Sequence, residues 1–121
     1  MLSVDASLLR IFIGECDRYE NQPLYEWIIV QAKAKGLAGA TVLRGSMGFG
    51  PHTRVIHTFK IERLSHELPM IIELVDTTDK VEDFLSFVEK HIHSSLLATL
   101  QKVEVRFSRV GKSFSSTTPL Q

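Results

Sequence analysis

Arg44, Gly45, Gly48, Phe49, Gly50 and Arg54 form the stretch of this chain whose residue types and spacing point most directly to ligand chemistry. Glycines at 45, 48 and 50 let successive backbone N–H groups turn inward as a nest for an anion. Arg44 and Arg54 flank the nest and carry forked donors that suit a phosphate or a carboxylate. A plain hairpin bend, needing glycine for positive φ, would use the same residues, and both readings stand. The segment follows an apolar β-run but does not open a helix, because Pro51, His52 and a β-spaced stretch come next. A dinucleotide fold or P-loop requires that helix, so neither fits.

The other reactive side chains form no set. Ser46 lies in Gly45-Ser46-Met47-Gly48, which lacks the Gly-x-Ser-x-Gly elbow and its strand–helix context. Glu15 and Asp17 fall in a polar loop where ordinary solvated carboxylates are expected. His91 and His93 are two apart, which on a helix turns them roughly 200° from each other. His52 and His57 have no cysteine or paired carboxylate at ligand spacing, so no metal site is expected. The single cysteine, Cys16, permits no intramolecular disulfide and suits a reducing cytosol. With no nucleophile–base pair in view, the chain is expected not to be an enzyme.

These residues need a scaffold, and the hydrophobic pattern supplies one. Residues 8–13 are an apolar β-run ending at Gly14, and residues 15–22 follow as a polar loop. Leu24, Trp27, Ile28 and Ala32 recur at helical spacing from Pro23, and Gly36 closes that helix. Its apolar surface extends to Ile29 and Val30, which suggests contact with more than one layer. Residues 40–44 form a second strand, and residues 55–61 alternate as an edge strand or projecting hairpin. Residues 70–75 are nearly continuous apolar, as in a central strand. Thr77 or Thr78 can cap the next helix, whose stripe is Val81, Phe84, Leu85, Val88 and Ile92. Residues 93–101 link that helix to a last strand, in which Val103, Val105 and Phe107 alternate with polar neighbours.

The order is β-α-β, an elaborated insert over residues 45–68, then β-α-β. The predicted fold class is α+β, a ferredoxin-like βαββαβ sandwich with two helices on one face of an antiparallel sheet. Residues 1–107 form one domain, and residues 108–121, rich in Ser and Thr and without an acidic residue, form a flexible tail. The two most apolar strands, 8–13 and 70–75, take the central places. Both carry apolar residues on both faces, and a 121-residue chain has no third layer to cover the second one. Self-association is the expected solution.

Composition narrows the function. Fourteen basic residues balance fourteen acidic ones. Nucleic-acid binding without sequence preference needs a basic surface, so no nucleic-acid partner is expected. No run of about 18 apolar residues is present, so membrane insertion is not expected. Residues 1–7 lack the basic region of a secretory signal, which points to the cytoplasm.

Leu9-Arg10-Ile11-Phe12-Ile13-Gly14-Glu15, Asp17-Arg18-Tyr19, Pro23-Leu24-Tyr25-Glu26, Gly36-Leu37-Ala38-Gly39-Ala40-Thr41-Val42-Leu43-Arg44-Gly45 and Gly48-Phe49-Gly50 together resemble the domain-of-unknown-function 190 family. That family is similar to the wider PII-like and CutA-like superfamily. The resemblance implies a homotrimer of ferredoxin-like protomers and an adenine nucleotide (AMP, ADP or ATP) held between subunits. It also implies action on a partner protein through the insert, residues 45–68. Two departures from the PII pattern stand out. The insert has no tyrosine to be nucleotidylated, and residues 93–101 lack the glycines and lysine that help hold phosphates. Arg106 and Arg109 are similar to the C-terminal arginines of PII proteins, without matching their spacing. Two further functions remain open from the residues: a ligand-free interaction module, and a small enzyme acting at subunit boundaries.

Overall fold

The computed structural model describes residues 5–49 and 68–106. Six strands and two helices follow in the order β1 (Ala6–Gly14), β2 (Arg18–Tyr19), β3 (Gln22–Pro23), α1 (Leu24–Ala34), β4 (Ala40–Arg44), β5 (Pro69–Thr77), α2 (Thr78–His91) and β6 (Leu97–Val103). The main sheet has the order β4-β5-β1-β6 and every neighbouring pair is antiparallel. The two most apolar segments are thus the central strands, as their sequence requires.

Alternation along those strands sorts their side chains onto two faces. Leu9, Ile11 and Ile13 of β1 lie opposite Leu74, Ile72 and Met70 of β5. All six are buried, and they form the core with Leu24, Trp27, Ile28 and Ala32 of α1 and with Val81, Phe84, Val88 and Ile92. The stripe expected on α2 is the stripe observed, with Leu85 only partly buried. On α1 the expected core positions are buried, whereas Val30 is exposed.

The other sheet face carries no helix among the described residues. Leu43, Ile71, Phe12 and Leu97 lie side by side across all four strands and make an apolar row. A second row reads Thr41, Glu73, Arg10 and Thr99, with the Arg10 Nε to Glu73 Oε2 pair at 2.8 Å in its centre. A third row reads Val75, Leu8 and Gln101. Leu43 and Leu97 are exposed, and Phe12 and Ile71 are half-buried.

Local chemistry sets the element ends. Gly36 adopts φ +82°, its N–H donates to the Lys33 carbonyl, and Leu37 N–H donates to the Ala32 carbonyl. This is the paired bonding of a glycine-terminated helix, which satisfies the last carbonyls of α1. At the start of α2 the expected caps divide differently. Thr77 holds the N-cap position, but its hydroxyl makes no capping bond and is buried without a partner among the described residues. Thr78 instead shares a hydrogen bond with Ser7 Oγ at 2.8 Å and donates to Asp5 Oδ1 at 3.1 Å. Lys102 Nζ and the Thr78 hydroxyl together hold the Asp5 carboxyl below its ordinary value of 3.8. A carboxyl lowered on folding contributes stability above about pH 3.8, and the contribution is lost as pH falls through the lower folded value.

Two elements differ from expectation. The polar loop at residues 15–22 contains the hairpin β2–β3, whose turn residues Glu20 and Asn21 have φ +47° and +70°. Two successive positive φ values make the turn that matches strand twist. The last strand also lies earlier than the apolar alternation at 103, 105 and 107 indicates. Val103 pairs with Ala6, where β1 begins, so among the described residues those beyond it have no strand to join. The strand expected at residues 55–61 and the flexible tail at 108–121 lie outside the described residues.

Candidate functional site

Three strand ends meet where the insert leaves the sheet. Gly14 ends β1, Arg44 ends β4 and Pro69 begins β5, with Gly14 opposite Pro69 and Arg44 opposite Met70. Two further backbone bonds fasten the junction. Glu15 N–H donates to the Leu68 carbonyl at 2.9 Å, and Gly45 N–H donates to the Pro69 carbonyl at 2.8 Å. The insert therefore starts and finishes on a rigid base.

Arg44 projects from this base. Its Nη2 donates to Glu15 Oε2 at 2.8 Å, and its side chain is 55% exposed, so further donors of the fork face solvent. A pair this exposed is worth no more than about 1 kcal/mol, and an incoming anion can compete for the guanidinium. Glu15 is more enclosed, and its Oε1 is buried without a partner among the described residues. Asp17 is structural. Its Oδ2 accepts from Gly14 N–H at 2.9 Å, and its carbonyl accepts from Leu24 N–H, tying the hairpin to α1. Neither carboxylate is the plain solvated group expected from sequence.

The glycines play unequal parts. A Cβ on Gly45 would stand 2.7 Å from Pro69 Cγ, so any other residue there would force the proline ring or the backbone to shift. Since its N–H is bonded to Pro69, Gly45 offers no donor to an anion. Gly48 adopts φ +152°, a conformation that side chains disfavour, and it too stands against Pro69. The described donors for a phosphate are then Arg44 and the amides of residues 46–49. Phe49, 68% exposed, and Met47 flank them as open apolar surface. Gly50 and Arg54 lie outside the described residues.

Gly45→Ala is expected to destabilise the protein by about 1–3 kcal/mol, the usual range for an overpacked contact. Gly39→Ala, where an added Cβ meets nothing within 4 Å, should shift stability by less than about 0.5 kcal/mol. Urea unfolding of both variants measures the difference, and equal effects would contradict the close approach at Pro69.

A cavity of about 320 Å³ lies at the opposite end of β4, between Ile29, Ala32, Lys33 and residues 37–40. Its walls are largely apolar, and it does not adjoin the Arg44 site. Among the described residues no group of three or more His, Cys, Asp or Glu side chains could hold a metal ion. No helix there is long and apolar enough to cross a membrane.

The four-stranded antiparallel sheet with two helices on one face is shared with solved structures. The chain is similar to a protein from Thermus thermophilus described as PII-like and signaling, with a TM-score of 0.59 at 18% identity over 87% of this chain and 93% of that one. It is also similar to CPII from Thiomonas intermedia, solved bound to ADP, AMP and acetate, with a TM-score of 0.54 at 16% identity over 87% and 92% of the two chains. At such identities the likeness concerns the fold alone.

Sequence carries the assignment further. Residues 6–105 match the DUF190 family, described as "Uncharacterized ACR, COG1993", and the chain belongs to that family. A UPF0166 protein of Aquifex aeolicus is 39% identical over 105 residues, which cover 87% of this chain and 97% of the relative.

Proposed function

We propose that this chain is a PII-like regulatory protein. It assembles as a homotrimer, binds an adenine nucleotide beside Arg44 and acts on a partner protein through residues 45–68. The observation that carries this reading is the half-exposed Arg44 on a rigid three-strand base beneath the insert. A phosphate there would contact the guanidinium and the amides near Gly48, and would bias the arrangement of the segment that follows. Ligand-dependent ordering of a loop is a common form of switch. CPII, which shares the fold, is described as bound to ADP and AMP, and this supports the ligand class. The open sheet face, with its apolar row and no covering helix among the described residues, supports self-association. The protein would act in the cytoplasm and would catalyse no reaction.

One observation favours a second reading. Gly45 N–H is spent on Pro69, as a purely structural turn requires, and this suits a constitutive interaction module without ligand. A thermal-shift screen with AMP, ADP and ATP at fixed ionic strength separates the two. A ligand at 100 times its Kd should add about 2.7 kcal/mol of stability and raise Tm accordingly. No shift with any of the three would give the interaction module the lead, and turnover in the same samples would identify an enzyme.

A further inference from the structure

On the open sheet face Arg10 and Glu73 are the only charged side chains among the described residues. Their neighbours in the row are Thr41 and Thr99, and the next rows are Leu43, Ile71, Phe12 and Leu97 on one side and Val75, Leu8 and Gln101 on the other. The pair therefore sits within the surface that self-association would cover, with side chains still 40% and 30% exposed in the single chain. Within the protomer the contact is minimal. Arg10 uses Nε alone, toward Glu73 Oε2. Its two Nη groups and Glu73 Oε1 engage nothing else among the described residues, although a guanidinium has five N–H donors and a carboxylate two acceptor oxygens.

Covering such a pair with apolar surface is unfavourable unless the remaining donors and acceptors are met. A second copy brings an identical face, on which the one carboxylate is Glu73 and the one cation is Arg10. Among the described residues each is the other's only ionic partner on that face. We propose that Arg10 bridges two copies of this chain. It keeps its Nε bond to Glu73 within the protomer and donates from Nη to Glu73 of the neighbouring copy. The bridge fixes the register of assembly and rejects faces that lack the matching charge. This inference rests on the self-association proposed above and adds its specificity.

The test uses the full chain with the charges exchanged, Arg10→Glu/Glu73→Arg. That variant keeps an ion pair inside each protomer and between like copies, but sets like charges together wherever it meets a wild-type copy. Wild-type and exchanged chains are unfolded together, refolded and weighed by native mass spectrometry. The expected result is self-sorting, with mixed oligomers at least about tenfold below their statistical share, since juxtaposed like charges reject wrong partners. A statistical mixture would overturn the bridge while leaving self-association intact. A wild type that is monomeric at micromolar concentration would overturn self-association itself, and the bridge with it.

Should the exchanged chain fail to fold by far-UV circular dichroism, Arg10→Lys decides. It retains the charge and the pairing within the protomer but loses the fork. Sedimentation should then show the Kd for assembly raised at least about tenfold, and an unchanged Kd would refute the bridge.

Discussion

Phe84→Ala is expected to lower the unfolding free energy by about 3–5 kcal/mol. Phe84 is 1% exposed and stands at the middle of the α2 stripe, between Val81 and Val88. It belongs to the same buried cluster as the β1 and β5 side chains that form the floor of the core. Truncation removes a ring's worth of transfer free energy and leaves a cavity that two helices on a stiff sheet cannot close. Glu89, one position beyond Val88 on the same helix, is exposed, and Glu89→Ala should change stability by less than about 0.5 kcal/mol. Urea unfolding at one fixed protein concentration is the proper comparison, because assembly contributes to apparent stability by mass action. Equal losses at the two sites would place the wrong face of α2 on the sheet.

A loss of about 2–5 kcal/mol should follow Asp76→Ala, for a different reason. Asp76 is fully buried at the end of β5, and its two oxygens accept from Ala38 N–H at 2.8 Å and from Thr77 N–H at 2.6 Å. The side chain thereby holds the α1–β4 connection against the start of α2. Lys80 Nζ reinforces the same contact by donating to the Gly36 carbonyl. Removing the carboxylate strands both amides, and each unsatisfied buried group costs about 1–3 kcal/mol. Asp79→Ala, on the exposed first turn of α2, removes only a favourable charge at the helix N-terminus and should cost about 0.3–1 kcal/mol. Hydrogen exchange adds a local readout, with protection at Ala38 falling in the Asp76 variant and unchanged in the Asp79 variant. Unchanged protection in both would remove Asp76 from this role.

Asp76 also marks where sequence reasoning stops. The core was legible because helices and strands write their buried faces at periods of 3.6 and 2, which is why Val81, Phe84 and Val88, or Leu9, Ile11 and Ile13, could be placed without coordinates. The strand order was legible for a related reason, since only central strands can afford apolar residues on both faces. A buried aspartate at the end of an apolar run has no such signature. Two of the groups it binds are backbone amides, one of them 38 residues away, and an amide is present whatever the side chain. The last strand was misplaced because its pairing is fixed by where β1 begins, at Ala6, and not by its own alternation.

The candidate site was half legible. Arg44 and the glycines stood out by type, but the loss of the Gly45 N–H to Pro69 depends on strand register, which side-chain patterns do not encode at a loop mouth. The same register brings Glu15, just past the end of β1 and 29 positions away in sequence, to Arg44. The hairpin at residues 18–23 was hidden because its turn uses Glu20 and Asn21 where glycine would have announced it.

The central claim is that an adenine nucleotide binds beside Arg44 and Gly48, and calorimetry tests it most directly. Wild type, Gly48→Val and Arg44→Ala are titrated with AMP, ADP and ATP at one ionic strength, since charge pairing is screened by salt. Wild type should bind AMP at least as well as ATP, because Glu15 beside Arg44 and the spent Gly45 amide leave few donors for additional phosphates. Arg44→Ala should weaken binding by about 1–3 kcal/mol, the range for a hydrogen bond to a charged group. Gly48→Val should abolish binding while sedimentation shows the oligomer intact. Wild type that binds none of the three nucleotides, or variants that bind as well as wild type, would contradict the assignment of this site.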